Sequence, residues 1–366
     1  MLTILWFFTN DFKNKINFLK ANKVVTYLLA FIAFSILSLL WSNEIESGIY
    51  YIRKYWYFLP VLVIASSATK KYIEYAISAF LLGMLISEIL SYGIFFELWT
   101  LKHGSPAFPS PFMSHIHYSV YLAFTSLLLL NRFFYQTNLK WRVLYFLYFI
   151  SVTANLFLNA GRTGQVAFGL SLFLVIFLNI KSKLLAFFGG LIFISLLLFS
   201  SYQISPVFKS RVDVGMQDIV KITKENDYCN SLGLRFGVWI NGGELFLDNP
   251  FLGSGASNKM DELRQNINQK HPEMHCVKQM LSYHNFFVQT LVKLGLIGIF
   301  LYIMIYISLF KLKLHDKQYY NMMVIFIGVY TISSLVENIF HEQFTQAIFT
   351  LFVGIFIAQN RIENET

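Results

Sequence analysis

The chain has 366 residues, 56% of them hydrophobic and only 13% charged, with a formal net charge of +9. A soluble domain carries about 25% charged residues, so the composition excludes a soluble enzyme, and the positive charge reads as basic loop residues that fix membrane orientation rather than as a nucleic-acid surface. Long apolar runs such as LLAFFGGLIFISLLLFSSY do not alternate, which argues against a membrane β-barrel and for an all-α polytopic membrane protein whose spans satisfy their own backbone hydrogen bonds.

The chain opens on MLTILWFF, which is apolar but lacks a basic n-region and a small-residue cleavage site. It reads as part of a first interfacial helix rather than a cleavable signal peptide. A span needs roughly 20 apolar residues. Ten spans are predicted, at 24–41, 55–68, 72–95, 117–134, 141–159, 163–179, 184–202, 285–310, 319–340 and 344–359, the second being short. Seven precede a hydrophilic stretch and three follow it, which divides the chain into an N-terminal bundle (1–202), a loop domain (203–283) and C-terminal helices (284–366). No internal repeat is visible, which gives no support to inverted-repeat transporter architecture.

Basic residues set the orientation. One set of short loops, from Lys13 through Lys70, Arg132, Lys181 and Lys311 to Arg361, carries fifteen lysines and arginines, whereas the opposite set carries four: Arg53, Lys54, Lys102 and Arg162. The richer side is cytoplasmic. Both termini are then inside, and the long loop faces the periplasm of a bacterial inner membrane. Cys229 and Cys276 are the two cysteines and both fall in that loop, where an oxidising compartment permits a disulfide.

Charged groups within spans are costly and mark function. Glu88, Lys293 and Glu337 all fall toward the outer half of the bundle, and Lys293 is expected to pair with one of the two carboxylates. Arg162 stands in a tight AGRTG turn on the outer side, where flanking glycines admit a ligand and a guanidinium suits a phosphate. In the loop, Arg235, Trp239 and Gly242 share one face of a predicted helix, with Arg211 upstream. A group of arginines outside the membrane suits a membrane-anchored diphosphate.

His284 sits at the outer boundary where the chain re-enters the membrane, and its unprotonated imidazole suits a general base. Asn285 is placed to orient it or to bind a sugar hydroxyl, and Gly295 and Gly298 are expected to let another helix pack closely. His115 and His117 are candidates to line the same cavity, with Trp239 as a stacking surface. No histidine cluster has a spacing that indicates zinc, and no metal or cofactor is expected.

His284 and Asn285, followed after nine residues by Gly295-Leu-Ile-Gly298, resemble the H-[NSQ]-x9-G-x-x-G motif of bacterial O-antigen ligases. AGRTG resembles that family's arginine turn, and LRFGVWINGGELFLDNPFLGSG resembles its periplasmic block. The resemblance implies a bundle of about 10–12 transmembrane helices of GT-C-like fold with one large periplasmic loop. It implies a metal-independent, inverting glycosyltransferase. The glycan would pass from undecaprenyl diphosphate to a sugar hydroxyl of lipid A–core. Arg162, Arg235 and Arg211 would hold the donor diphosphate and His284 would act as base. A polysaccharide polymerase using the same donor is the nearest alternative. A flippase or other transporter is the alternative of a different class, disfavoured because the span charges cluster toward one side.

Overall fold

The computed structural model describes residues 6, 11–257 and 259–365. The apolar opening octet, Trp6 apart, lies outside the described residues. The described residues form helices and turns, with one isolated bridge between Ser105 and Phe108. In chain order the α-helices are α1 (Phe12–Ala21), α2 (Lys23–Leu37), α3 (Ile45–Ile52), α4 (Pro60–Ser67) and α5 (Lys70–Phe95). There follow α6 (His115–Tyr135), α7 (Leu139–Leu158), α8 (Arg162–Asn179), α9 (Lys183–Ile204) and α10 (Pro206–Glu225). The last five are α11 (Ser231–Asp248), α12 (Met260–Lys270), α13 (Phe286–Phe310), α14 (Lys317–Val336) and α15 (Gln343–Glu365).

Among the described residues seven helices are long and apolar enough to cross a membrane: Lys23–Trp41, where α2 continues as a 3-10 turn, and α5, α7, α8, α9, α13 and α14. They coincide with seven of the ten predicted spans. Two more predicted spans are the long helices α6 and α15. The one predicted at 55–68 is corrected. Arg53–Phe58 is 3-10 helix, and α4 beyond it has only 8 residues, about 12 Å at 1.5 Å per residue. Asparagine and serine start many of the helices by accepting from first-turn amides, among them Asn22 for α2, Ser114 for α6, Asn138 for α7 and Asn285 for α13.

The chain divides into two compact units. The first comprises 1–67, 213–311 and 334–357. Its apolar centre is aromatic: Phe31 of α2 meets Tyr55, Phe286, Tyr302 and Phe340, with ring centroids 5.7 to 6.3 Å apart. A second core belongs to the loop, where Val238, Met260, Leu263, Ile267, Met274, Val277 and Tyr283 are buried together. A disulfide joins Cys229 to Cys276 across this core. At its edge Glu244 accepts from Asn266 at 2.7 Å and meets His271 Nε2 at 2.9 Å, clasping α11 to the end of α12.

The second unit comprises 68–212, 312–333 and 358–366. Helix α6 runs through its middle, with thirteen of its residues buried, and packs along α7 and α8. Polar side chains tie it laterally: Ser126 and Thr153 share a hydrogen bond of 2.6 Å, and Asn131 donates to the Gln318 carbonyl at 2.9 Å. Helix α9 is only 11% buried and turns most of its apolar surface outward, as a lipid-facing span does.

Candidate functional site

The first unit gathers residues from α11, the start of α13 and the end of α14. Arg235, Trp239 and Gly242 lie on one face of α11, and each meets the segment around His284 or its partner. Trp239 Nε1 donates to the Tyr283 carbonyl at 2.8 Å. Gly242 leaves room for the Tyr283 ring, whose atoms would come within 2.9 Å of an added Cβ. Arg235 reaches Glu337 at 3.9 Å. The face expected from i, i+4, i+7 spacing thus fixes the backbone just before His284.

His284 adopts a left-handed backbone with φ of 45°, unusual for a non-glycine residue and often seen where function holds a side chain in place. Its Nδ1 lies 3.0 and 3.1 Å from the two carboxylate oxygens of Glu337. A carboxylate only accepts, so Nδ1 carries a proton, and in the neutral imidazole the lone pair is then on Nε2. The carboxylate side chain is 7% exposed and the imidazole 29%, so a buried acceptor orients a reachable imidazole. Asn285 has a local job: its Oδ1 accepts from the amides of Phe287 and Val288 and caps α13.

Gly295 and Gly298 serve a different purpose from the helix–helix approach expected of them. Gly295 has φ of 61° and ψ of −160° and breaks α13 about two and a half turns below its capped start, at about 3.6 residues per turn. The segment 250–255 fills the break. Leu296 and Ile297 donate to the carbonyls of Pro250 and Phe251 at 2.8 and 3.2 Å. In return the amides of Ser254 and Gly255 donate to the carbonyls of Val292 and Lys293, each at 2.9 Å. Gly253, with φ of 68°, lets this loop reach the Lys293 backbone. Gly298 gives space to Leu294 across the break. The NPFLGSG and GLIG stretches are therefore two halves of one device, which satisfies the freed backbone groups and sets the height of the first helical turns after His284.

Lys293 does not take the carboxylate partner expected for it. Its Nζ donates to the Ala256 carbonyl at 3.0 Å and lies 3.8 Å from the ring centre of Tyr51. Glu88 instead accepts from Ser151 at 2.5 Å.

The second unit holds Arg162, Arg211 and His117. Asn159 accepts from the Gly161 amide and Ser119 from the Gly164 amide, each at 3.0 Å, so the AGRTG turn is seated on α6. Arg162 is the first residue of α8, where helix amides favour an anion. Arg162 and Arg211 line one cavity of about 520 Å³ whose remaining wall is largely apolar, including Val166, Phe173, Leu198 and Phe208. His117 pairs with Ser114 at 3.0 Å at the start of α6. Among the described residues Cys229, His275 and Cys276 bring three ligand-type atoms together, but both sulfurs are spent on the disulfide and offer no thiolate.

Sequence reasoning marked Glu337 as supporting but did not pair it with His284, 53 positions away. It missed Tyr51, Gln289, Asn338 and His341, which line a cavity with Lys293 and Tyr283. They come from three separated segments, and nothing in any one segment signals the others.

Comparison with known proteins agrees with the resemblance. Residues 146–303 match the profile of the O-antigen ligase family. An uncharacterised protein of Haemophilus influenzae is 24% identical over 337 residues, covering 90% of this chain and 82% of that protein. The profile match supports an O-antigen ligase- or polymerase-type function, and the seven apolar helices support a multi-pass membrane protein.

Proposed function

We propose that this chain, which matches the O-antigen ligase family over residues 146–303, transfers a glycan from undecaprenyl diphosphate to a sugar hydroxyl of lipid A–core on the periplasmic side of the inner membrane. The observation that carries the reading is the His284–Glu337 pair, at 3.0 Å through Nδ1, which assigns the lone pair of the neutral imidazole to Nε2. Nε2 takes the proton of the acceptor hydroxyl as its oxygen attacks the anomeric carbon. The bond from that carbon to the diphosphate oxygen breaks, its electrons leave with undecaprenyl diphosphate, and the anomeric configuration inverts. Glu337 stabilises the imidazolium that forms, as a buried carboxylate does in a histidine–acid pair.

The donor is an amphipathic molecule, and the cavity that Arg162 and Arg211 line has matching chemistry, two arginines among largely apolar residues. These arginines offset the charge that develops on the leaving diphosphate, and Arg235 is assigned to the same task. No metal enters the proposed mechanism, because the guanidiniums supply the positive charge.

Purified protein, donor, lipid A–core and EDTA test the reading. The expected result is product on lipid A–core with wild type, and a loss of about 10²–10⁴-fold with His284→Ala. Longer lipid-linked chains without any transfer to lipid A–core would assign the chain to the polymerases. Activity that EDTA abolishes and zinc or magnesium restores would remove the metal-free mechanism.

A further inference from the structure

The first unit contains a cavity of about 330 Å³ that the mechanism above does not use, within the ~300–1,000 Å³ common for small-molecule pockets. Tyr51, Tyr283, Gln289, Lys293, Asn338 and His341 contribute to its wall. Tyr283 directly precedes His284 and Asn338 directly follows Glu337, so the cavity shares its backbone with the base and its partner.

Its polar groups are incompletely matched by protein. Asn338 is 5% exposed, and its Oδ1 has no hydrogen-bond partner among the described residues. Tyr283 is fully buried and its hydroxyl is likewise unmatched. Buried polar atoms in folded proteins almost always have partners. Gln289 donates to the Tyr51 hydroxyl at 3.0 Å and orients that ring.

The charge is unbalanced as well. Lys293 is 6% exposed, and among the described residues no carboxylate lies within ion-pairing distance of its Nζ. One carbonyl and the Tyr51 ring stabilise the ammonium, yet an unneutralised buried charge is costly. Glu342 also lines the cavity, but it is paired with Lys54 at 3.7 Å. His341 adds no charge. Burial pushes its imidazole down to about 3, and its Nε2–H donates to the Tyr51 carbonyl. The wall is left with one lysine without a counter-charge and one unmatched acceptor beside stacked rings of Tyr51 and His341, 3.7 Å apart.

We propose that this cavity binds a monosaccharide unit bearing an anionic substituent, a carboxylate or a phosphate, and that Lys293 selects for that charge. Asn338 Oδ1 accepts from a sugar hydroxyl and Lys293 meets the anion. On the transferase reading, which this assignment deepens, the unit belongs to the acceptor, and the cavity holds it next to His284.

Ligand-observed NMR on the full-length protein in nanodiscs tests the proposal without turnover, so its failure is distinguishable from a failure of the transfer assay. The probes are glucuronic acid, glucose 6-phosphate, glucose and inorganic phosphate. At least one charged sugar is expected to bind about tenfold or more tightly than glucose, and which one does so identifies the anion. Lys293→Met should erase the difference while melting no lower than wild type, and Lys293→Arg should keep part of it. Should Lys293→Met not fold, Asn338→Ala provides the second variant, expected to weaken charged sugar and glucose alike. The proposal is overturned if glucose binds as well as both charged sugars, if no sugar binds, or if inorganic phosphate equals glucose 6-phosphate. It also fails if Lys293→Met keeps the preference, or if Asn338→Ala leaves sugar binding unchanged.

Discussion

At the scale of single residues, His284 has two constraints upon it, and they act on different atoms. Trp239 holds the carbonyl of the preceding residue, and Glu337 holds Nδ1. Glu337 touches no substrate in this account and is a positioning residue. Glu337→Gln keeps the shape but can also present an N–H to Nδ1, which permits the wrong tautomer. The expected outcome is a fall in kcat of about 10–100-fold with the acceptor KM little changed. A change confined to KM would assign Glu337 to binding instead. The sequence singles out His284 because a histidine at a membrane boundary is chemically conspicuous. It does not single out the capping contact of Asn285, whose side chain accepts at the start of α13, since an asparagine before an apolar run reads equally as a ligand or a cap.

At the scale of elements, the broken α13 is the feature on which the site depends. A Cβ at Gly295 would come within 2.4 Å of the Phe251 carbonyl, in a backbone conformation that disfavours side chains. Gly295→Ala is therefore expected to lower stability by about 2 kcal/mol or more, from the left-handed strain of about 1–2 kcal/mol and the clash added to it. Gly243→Ala, on α11 with open space around it, should be neutral or slightly stabilising; thermal melts in detergent compare the two. The loop core adds two further expectations. The Cys229–Cys276 bond closes a separation of 47 residues, so Cys229→Ser with Cys276→Ser should destabilise the loop core by about 2–4 kcal/mol, read by hydrogen exchange over 229–279. The Glu244 clasp is pH-dependent in a defined direction. Hydrogen bonds from Asn266 and His271 lower Glu244 to about 2, and the bond to Glu244 raises His271 above its ordinary value. The Glu244 contribution is present above its unfolded pKa near 4.5 and is lost as pH falls toward 2. The His271 contribution is complete below its unfolded pKa near 6.5 and is lost as pH rises through the raised value. Protection of α12 against exchange should peak between these limits, and Glu244→Gln should flatten that profile.

At the scale of the whole molecule, apolar length was the most legible property. Nine of ten predicted spans are long helices because twenty apolar residues have few other conformations in a membrane. The exception, 55–68, combines the aromatic run RKYWYF with Pro60, and the chain there forms a 3-10 turn and a short helix. The site was legible where its residues share a helix, as Arg235 and Trp239 do, or a turn, as with Arg162. It was not legible where it depends on distant segments meeting, as with Glu337 and His284 or Asn338 and Tyr51. The link between NPFLGSG and Gly295 falls between these cases: both carry glycines, but only the fold shows that one fills the break in the other. Orientation rests on fifteen basic residues against four. Single cysteines introduced at Lys224 and His315, in a background with Cys229 and Cys276 replaced, test it with an impermeant maleimide. Labelling of the first and not the second in intact spheroplasts is the expected outcome.

The most direct test of the central claim is a double-mutant cycle on transfer by wild type, His284→Ala, Glu337→Gln and the double variant. If Glu337 acts through His284, the double variant transfers no more slowly than His284→Ala alone. Losses that multiply, or wild-type transfer by His284→Ala, would contradict the account.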